Sequence, residues 1–415
     1  MKILHINTSD KIGGAAIASY RLHKALLKNG IESKMLVLDK ITDEQEITAI
    51  IVNKVKRTFL SMLMSFFEQK KFKRYKDREN KIMFSQGRYG LKISEHPLIN
   101  EADVIHLHWI NNGMLSIKEI EKISQKGKKI VWTLHDMWPF TGGCHYSGDC
   151  LEYEKQCSDC KILNFHNRND ITMKIFEKKR KSYEKIDFNI IGCSKWIGEC
   201  AKNSFLFKDK KIKIIPNIIE KNIFKPIEKN ICRNILNLDV KKKYILFGAI
   251  NSNTDKRKGH HLLISALEKL KKEELNTISN IEILVFGSSY FLESEKVPFK
   301  INFLGHIYDE ITLSLIYNSA DVFVAPSLED NLPNTVNESL LCGTPVVAFK
   351  VGGMTDMINH LENGYLASTN DSKDLSNGIL KFLNYNNKVS SNFVYNRILR
   401  EMISYYENLN DVKMR

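Results

Sequence analysis

Short apolar, β-branched segments alternate along this chain with longer segments whose apolar residues recur every three or four positions. The first strand is predicted at Lys2 to Asn7, and after a loop with Gly13 and Gly14 a helix follows from about Ala15 to Asn29. A second strand at Lys34 to Leu38 completes a β-α-β unit. The pattern therefore predicts a parallel α/β sheet at the start of the chain.

The same alternation starts afresh at Tyr244, with a strand, a polar loop to Gly259, a helix over His261 to Leu270 and a strand at Ile281 to Gly287. Further strands are predicted at 103–108, 129–134, 189–193, 302–304, 321–325 and 345–349. We therefore expect an α/β protein of two Rossmann-like domains that face each other across a cleft. The predicted domains are 1–215 and 216–395, with a C-terminal helix in 396–415.

The length of 415 residues favours two domains, because a single hydrophobic core seldom organises so long a chain. The formal net charge of +14 suggests an anionic partner, such as a nucleotide, a lipid headgroup or nucleic acid. No nucleic-acid-binding module is recognisable, so nucleic acid is not expected as a partner. We see no signal peptide and expect a cytoplasmic protein, in which the eight cysteines are thiols or metal ligands.

A basic segment, residues 54–92, interrupts the first predicted domain. Its apolar run from Phe59 to Phe67 is about half the length that spans a bilayer. One interpretation is attachment to an anionic membrane surface, at the inner face of the cell membrane. The other is a solvated helical insertion that packs its apolar face on the sheet. The basic residues around the run are Lys54, Lys56, Arg57, Lys70, Lys71, Lys73, Arg74, Lys76, Arg78 and Lys81.

The segment from Ala325 to Ala348 carries the clearest chemical signal. A buried strand ends there, a turn follows, and two carboxylates, Asp330 and Glu338, lie around the start of a predicted helix that ends at Gly343. Free N–H groups at a helix start attract phosphate, and a carboxylate one turn further in can accept hydrogen bonds from ribose hydroxyls. The segment therefore predicts half of a nucleotide-binding site.

This segment resembles the signature of glycosyltransferase family 4, P-S-x-x-E-x7-E followed by a strand of the type A-x-G-x-P-V-V. Here Asp330 stands at the first acidic position and Glu338 at the second. The run from Thr133 to Tyr146 also resembles bacterial capsule and exopolysaccharide transferases of the colanic-acid type. The resemblance implies the GT-B fold, a nucleotide-sugar donor and a retaining reaction.

The resemblance also implies how the donor is held. Pro333 lacks a backbone donor, which leaves the amides of Asn334 and Thr335 for the phosphates. Lys258 matches the family's diphosphate-binding lysine, and its charge would stabilise the departing diphosphate. The family's arginine is Asn253 here, so we expect Arg257 to replace it.

In the first predicted domain, His135 follows the strand at Lys129 to Leu134 and matches a family histidine near the donor sugar. The resemblance gives it an orienting role, because the departing phosphate is thought to help take the acceptor proton. Gly13 and Gly14 have no side chains that would obstruct a ligand. No Asp-x-Asp motif is present, so we expect no catalytic metal.

Four cysteines follow His135 in one loop with the spacing C-x5-C-x6-C-x2-C. Such thiols can form a closed tetrahedral zinc site. Unligated thiols and an iron–sulfur cluster are the alternatives, and His145 is a further candidate ligand. The predicted ligands are Cys144, Cys150, Cys157 and Cys160.

Together these features predict a retaining hexosyltransferase that moves a sugar from a nucleotide-sugar donor to a growing glycan or a lipid-linked oligosaccharide. The alternatives are a sugar-nucleotide epimerase of similar fold and a non-catalytic glycan-binding protein. The sequence leaves the donor base, the sugar and the acceptor open, because side chains in variable loops select them.

Overall fold

A computed structural model describes residues 1–70, 84–164, 167–248, 255–273, 280–290, 294–385, 387–391 and 393–411 of the chain. The chain divides into two compact units. The first unit comprises Met1–Ile218 together with Asn396–Arg415, and the second comprises Ile219–Tyr395.

The first unit is built on a parallel sheet of seven strands in the order β3-β2-β1-β4-β5-β6-β7. The innermost strands are buried on both faces, as expected where helices cover a parallel sheet. The strands are β1 (Lys2–Ser9), β2 (Glu32–Asp39), β3 (Ile47–Ala49), β4 (Val104–Leu107), β5 (Lys129–Leu134), β6 (Phe188–Gly192) and β7 (Lys211–Ile214).

Seven of the described helices belong to this unit. Several of them begin at a side chain that accepts a hydrogen bond from the first turn, among them Ser116, Asp170 and Ser194. The helices are α1 (Gly14–Lys28), α2 (Lys54–Lys70), α3 (Pro97–Glu101), α4 (Ile117–Ser124), α5 (Ile171–Tyr183), α6 (Lys195–Asn203) and, at the C-terminus, the helix Tyr395–Asp411, called α13 below.

The second unit has a six-stranded parallel sheet in the order β10-β9-β8-β11-β12-β13. A separate hydrophobic core that includes Ile245, Leu267 and Val347 supports it. Its strands are β8 (Lys243–Gly248), β9 (Ile281–Phe286), β10 (Lys300–Gly305), β11 (Val322–Ala325), β12 (Val346–Phe349) and β13 (Gly364–Ala367). Its helices are α7 (Lys229–Ile235), α8 (His260–Glu273), α9 (Glu310–Ser319), α10 (Asn334–Leu341), α11 (Met354–Met357) and α12 (Ser372–Leu383).

The sequence pattern located the inner strands of both sheets, and β5 has the predicted bounds. It missed β3, β7 and β13, which are three or four residues long and lie at sheet edges. An edge strand is covered less completely, so its residues need not form a continuous apolar run. The α/β class with two Rossmann-like parallel sheets is confirmed.

The apolar run from Phe59 to Phe67 lies within α2. Leu60 and Met64 pack on the core, whereas another stripe of apolar side chains on the same helix is exposed. In the part of the chain that the structure describes, no helix is long and apolar enough to cross a bilayer. The predicted basic residues Lys71, Lys73, Arg74, Lys76, Arg78 and Lys81 lie outside the described residues, as does Asn253.

Candidate active site

Each sheet reverses its winding beside its first strand. In the first sheet, β2 lies on one side of β1 and β4 on the other; in the second, β9 and β11 flank β8 in the same way. The connections on the two sides cover opposite faces, so a crevice opens at the carboxyl ends of the two central strands. The loops that follow β1, β4, β8 and β11 are therefore the places to look for ligand-binding side chains.

Lys258 and Asp330 meet at this crevice of the second sheet. Lys258 lies in the loop after β8 and Asp330 in the loop after β11, and Nζ of the lysine is 2.8 Å from a carboxylate oxygen of the aspartate. Burial alone would raise the pKa of Asp330, but the charges of Lys258 and Arg257 outweigh it and hold that pKa below its usual value. The carboxylate is therefore ionised and fixes the lysine ammonium.

Arg257 ties the same two loops together. Its guanidinium donates to the carbonyl of Glu329 at 2.5 Å and to the carboxylate of Asp255 at 2.8 Å. The carbonyl of Arg257 accepts from the backbone N–H of Leu328 at 2.7 Å. The guanidinium is also 3.8 Å from Asp330, so Arg257 adds a second positive charge beside Lys258.

Glycines allow these loops to approach each other this closely. Gly259 has a φ of +68°, and a Cβ atom there would be 1.8 Å from the carbonyl oxygen of Pro326. Gly352 has a φ of +50°, and its Cβ would be 2.0 Å from the carbonyl oxygen of Asp330. Any side chain at either position would push the loop of Asp330 away.

Helix α10 starts beside the acidic loop. Asn334 and Thr335 are its first residues and are half-buried, and Pro333 supplies no side-chain cap. Glu338, one turn further in, is buried and accepts a hydrogen bond from the hydroxyl of Tyr317 at 3.0 Å. Glu338 thus has a structural partner in addition to its predicted contact with a ribose.

In the first unit, Gly13 and Gly14 follow β1. Gly13 has a φ of +91° and precedes α1, and a Cβ atom would meet nothing within 4 Å at either position. The loop therefore needs a glycine at Gly13 for its backbone angle, and it leaves open space around both residues.

His135 lies directly after β5 and lines a small cavity of the first unit. The cavity also contains side chains from α1, His108 and the segment Ile215 to Ile218. Nε2 of His135 is 3.1 Å from Nδ1 of His108. Burial lowers the pKa of His135 to about 4, so the imidazole is neutral at physiological pH.

The cysteine loop packs beside α5. Cys144, Cys157 and Cys160 are buried and Cys150 is half-buried, all as free thiols. The N–H of Gly142 donates to the sulfur of Cys157 at 3.1 Å, and two backbone N–H groups donate to Cys160. Across the described ranges, His5, His106 and His108 form a group in which one ring nitrogen of each lies within 4.8 Å of the others. The cysteine sulfurs of this loop, which lie within those ranges, do not form such a group of three.

His145, the further candidate ligand, has both ring nitrogens engaged. Its Nδ1 is 2.6 Å from the carboxylate of Asp136, and its Nε2 is 2.9 Å from the hydroxyl of Ser85. The N–H of the Trp109 side chain donates to the same carboxylate at 2.8 Å. His145 thus has a structural role that its spacing alone did not indicate.

The predicted site residues form separate groups. Arg257, Lys258 and Asp330 touch one another, while Asn334, Thr335 and Glu338 share α10. Gly13, Gly14, His135 and the four cysteines belong to the first unit. The sequence reasoning assigned no chemical role to His5, His106 and His108, although the His-Leu-His pattern at the end of a strand was visible.

Comparison with known proteins identifies the family. The family model described as Glycosyltransferase Family 4 matches residues 12–222, which is half of the chain, and the one described as Glycosyl transferases group 1 matches residues 228–400. This protein belongs to glycosyltransferase family 4. The predicted family is therefore confirmed.

This family 4 transferase is similar to known proteins along most of its length. WcaC of Escherichia coli K12, named for colanic acid biosynthesis, is 22% identical over 372 residues, which cover 84% of this chain and 83% of WcaC. The Anabaena HepE structure with UDP and glucose has a TM-score of 0.62 at 17% identity and covers 98% of this chain and 99% of its own. A sucrose-phosphate synthase from Thermosynechococcus elongatus has a TM-score of 0.61 at 17% identity, and the match covers 99% of this chain and 100% of the synthase chain. These likenesses confirm the GT-B fold.

Replacing Gly259 by alanine should destabilise the transferase more than the same change at Gly127. Both glycines have a φ of +68°, but a Cβ atom at Gly127 meets nothing within 4 Å. The backbone strain of about 1–2 kcal/mol is then common to both variants. The overlap with Pro326 should add about 1–3 kcal/mol in Gly259→Ala. Urea unfolding followed by circular dichroism measures both losses, and equal losses would show that the loops are not in close contact.

Proposed function

We propose that this protein transfers a hexosyl residue from a nucleoside-diphosphate sugar to a growing glycan or a lipid-linked oligosaccharide, with retention at the anomeric carbon. The observation that carries the proposal is the contact of Lys258 with Asp330 at the crevice of the second sheet, beside the start of α10. Cations and the N-terminal end of a helix at that place suit a diphosphate. The second unit would then bind the donor and the first the acceptor.

Each residue has a distinct part in the proposed reaction. Lys258 and Arg257 face the diphosphate, whose negative charge grows as its bond to the sugar breaks. Asp330 holds Lys258 in place, and Glu338 binds the ribose hydroxyls. His135 orients the donor sugar.

The proposed bond changes occur on one face of the sugar. The bond between the anomeric carbon and the phosphate oxygen breaks, and the acceptor oxygen bonds to the same carbon from the same side. The acceptor proton passes to the departing phosphate oxygen. No protein nucleophile or metal takes part in this scheme.

The comparisons support a transferase over an epimerase or a non-catalytic glycan-binding protein. WcaC is named as a glycosyl transferase of colanic acid biosynthesis, and the HepE structures contain UDP, UDP-glucose or UDP with glucose. A uridine nucleotide is therefore the first donor class to test, followed by guanosine and adenosine nucleotides. An epimerase would release a free altered sugar without an acceptor.

Purified protein should release nucleotide faster when a glycan acceptor is added, with the sugar found on the acceptor. Lys258→Met should lower kcat at saturating donor at least about tenfold, because the lost charge acts mainly on the departing phosphate. Lys256→Met is the matched control, since Lys256 is exposed in the same loop. A coupled assay of nucleotide release measures kcat for each protein, and mass spectrometry of the glycan detects the transferred sugar. Acceptor-independent release of an altered free sugar would contradict the transferase.

A second part of the proposal places the enzyme on the inner face of the cell membrane. Along α2, Val55, Phe59, Met62 and Phe66 recur with helical spacing and are exposed by 54–79%. Basic residues precede and follow this stripe in the sequence. An exposed apolar stripe with flanking basic residues suits an anionic bilayer surface, where lipid-linked acceptors are found.

The double change Phe59→Ser and Phe66→Ser should abolish binding to vesicles that contain phosphatidylglycerol. The wild type should sediment with these vesicles, and less so at high salt or with pure phosphatidylcholine, because the basic charges are then screened or lack partners. Ile231→Ser is the control, because Ile231 is also exposed but lies on α7. Equal sedimentation of wild type and double variant would remove α2 as the membrane-binding surface.

We also propose that Cys144, Cys150, Cys157 and Cys160 bind a structural zinc ion. Backbone N–H groups point at two of the sulfurs, as they do at thiolate ligands. Lys179 is fully buried on α5, where its Nζ donates to the carbonyls of Trp138 and Thr141. Burial lowers the pKa of Lys179 to about 7, and negative charge on Cys157 and Cys144 acts in the opposite direction. Four thiolates and one Zn²⁺ carry a net charge of about −2, which would compensate a buried ammonium.

Elemental analysis should find about one zinc per chain in the wild type and much less in Cys157→Ser. Cys200→Ser is the control, since Cys200 lies on α6 and is not one of the four proposed ligands. Chelation should expose the cysteines of the loop to alkylation while circular dichroism shows that the sheets persist. Wild-type protein without metal and with all four thiols freely alkylated would contradict the zinc site.

A further inference from the structure

Four histidines lie at the crevice of the first sheet. His5 is on β1 and His106 on β4, and these two are direct neighbours in the strand register. His108 follows β4 and His135 follows β5. The first three are buried and His135 is half-buried. The strand register thus brings buried imidazoles up to His135, which follows a strand end where a ligand of this unit is expected.

Three of these rings form one hydrogen-bonded chain. Nε2 of His135 is 3.1 Å from Nδ1 of His108, and Nε2 of His108 is 3.0 Å from Nδ1 of His5. The chain stops there, because Nε2 of His5 is buried and has no hydrogen-bond partner among the described residues. One end of the chain is therefore closed inside the protein, and the other end is His135.

The protons in this chain must all point the same way. A neutral imidazole has one N–H and one accepting nitrogen, so each ring donates to one neighbour and accepts from the other. Burial is the largest influence on all three rings and lowers each pKa, that of His135 to about 4, so the rings are neutral near pH 7. Two arrangements then remain, one donating from His135 inwards and one donating from His5 outwards.

The buried end decides between the two arrangements. If His135 donated inwards, the last N–H would be on Nε2 of His5, buried with no acceptor. If His5 donates outwards, that nitrogen has only an unused lone pair. Orphaned buried N–H groups are the rarer of the two defects in proteins. The outward arrangement places an N–H on Nδ1 of His108, which donates to Nε2 of His135 and leaves the His135 proton on Nδ1.

We propose that His108 and His5 are positioning residues that fix His135 in the neutral tautomer with its proton on Nδ1. His135 then presents a hydrogen-bond donor to an oxygen atom of the sugar nucleotide and cannot accept a proton at that nitrogen. This proposal rests on the proposed function only for the identity of the ligand. The buried residues His5 and His108 thus determine whether His135 donates or accepts a hydrogen bond at Nδ1.

His106 supports the chain from the side. Its ring centroid is 4.1 Å from that of His108 and 5.3 Å from that of His5. Its own nitrogens bond elsewhere, Nδ1 to the hydroxyl of Tyr406 at 2.6 Å and Nε2 to the hydroxyl of Thr133 at 2.7 Å. His106 therefore holds the ring of His108 in place without joining the chain.

The hydrogen bonds of these rings argue against a metal ion at His5, His106 and His108, although one ring nitrogen of each lies within 4.8 Å of the others. A metal ion bound to all three rings would have to displace one hydrogen bond of His106, to Tyr406 or to Thr133, and one of His108, to His5 or to His135. The test must therefore separate a chain of hydrogen bonds from a metal site.

The tautomer can be observed directly in the full-length protein labelled with ¹⁵N histidine. The protonated and unprotonated ring nitrogens have different ¹⁵N shifts, and comparison with His135→Gln identifies the signals of His135. We expect the proton on Nδ1 in the wild type, with no titration of this ring near pH 6.5. His5→Phe removes the donor at the buried end and should turn the single tautomer of His135 into a mixture. His5→Asn, whose amide can replace the Nδ1 donor, should restore it.

Tyr406→Phe is the matched control, because it removes a buried hydrogen bond to His106 and leaves the chain intact. Its His135 spectrum should remain that of the wild type. A proton on Nε2 of wild-type His135, an unchanged tautomer in His5→Phe, or bound metal that is lost in that variant would each overturn the proposal. The wild-type spectrum alone decides if a variant fails to fold. Because the readout uses neither donor nor acceptor, it can fail or succeed independently of the proposed function.

Discussion

The reversal of strand order beside β1 and beside β8 is the constraint from which the arrangement of this transferase follows. Parallel strands end at a common edge, and the reversal opens that edge between two loops that leave on opposite faces. In the second sheet the loops bring Lys258 against Asp330. In the first sheet, the neighbouring strands β1, β4 and β5 bring His5, His108 and His135 together. The same topology thus produces a charged site in one unit and a neutral, hydrogen-bonded one in the other.

The sequence predicted the features that depend on local patterns. Buried strands form apolar runs, so β5 was located with its observed bounds, and the acidic segment after β11 identified the family, which the family models confirm. The short edge strands were missed because they lack such runs. The hydrogen bond between Glu338 and Tyr317 was also missed, since a motif specifies the carboxylate and not its structural neighbour.

The histidine chain could not be predicted from local sequence patterns either. His5 and His108 are 103 residues apart in sequence, and only the parallel register of β1 with β4 brings them together. The His-Leu-His pattern tells which face of the strand the two rings share, but it carries no information about the partner on the neighbouring strand. The missing partner of His5 Nε2 is a property of packing, and no residue pattern expresses it.

The placement of α13 has a consequence for synthesis of the chain. This helix belongs to the first unit, although the whole second unit precedes it in sequence. On the ribosome, the N-terminal sheet therefore emerges long before Tyr406, which completes the hydrogen bonding of His106. Until then the nascent first unit also lacks Met402, which lines the same small cavity as His108 and His135. Domains usually fold in order of synthesis, but this first unit can complete its packing only after α13 has been made, which is later than the synthesis of the whole second unit.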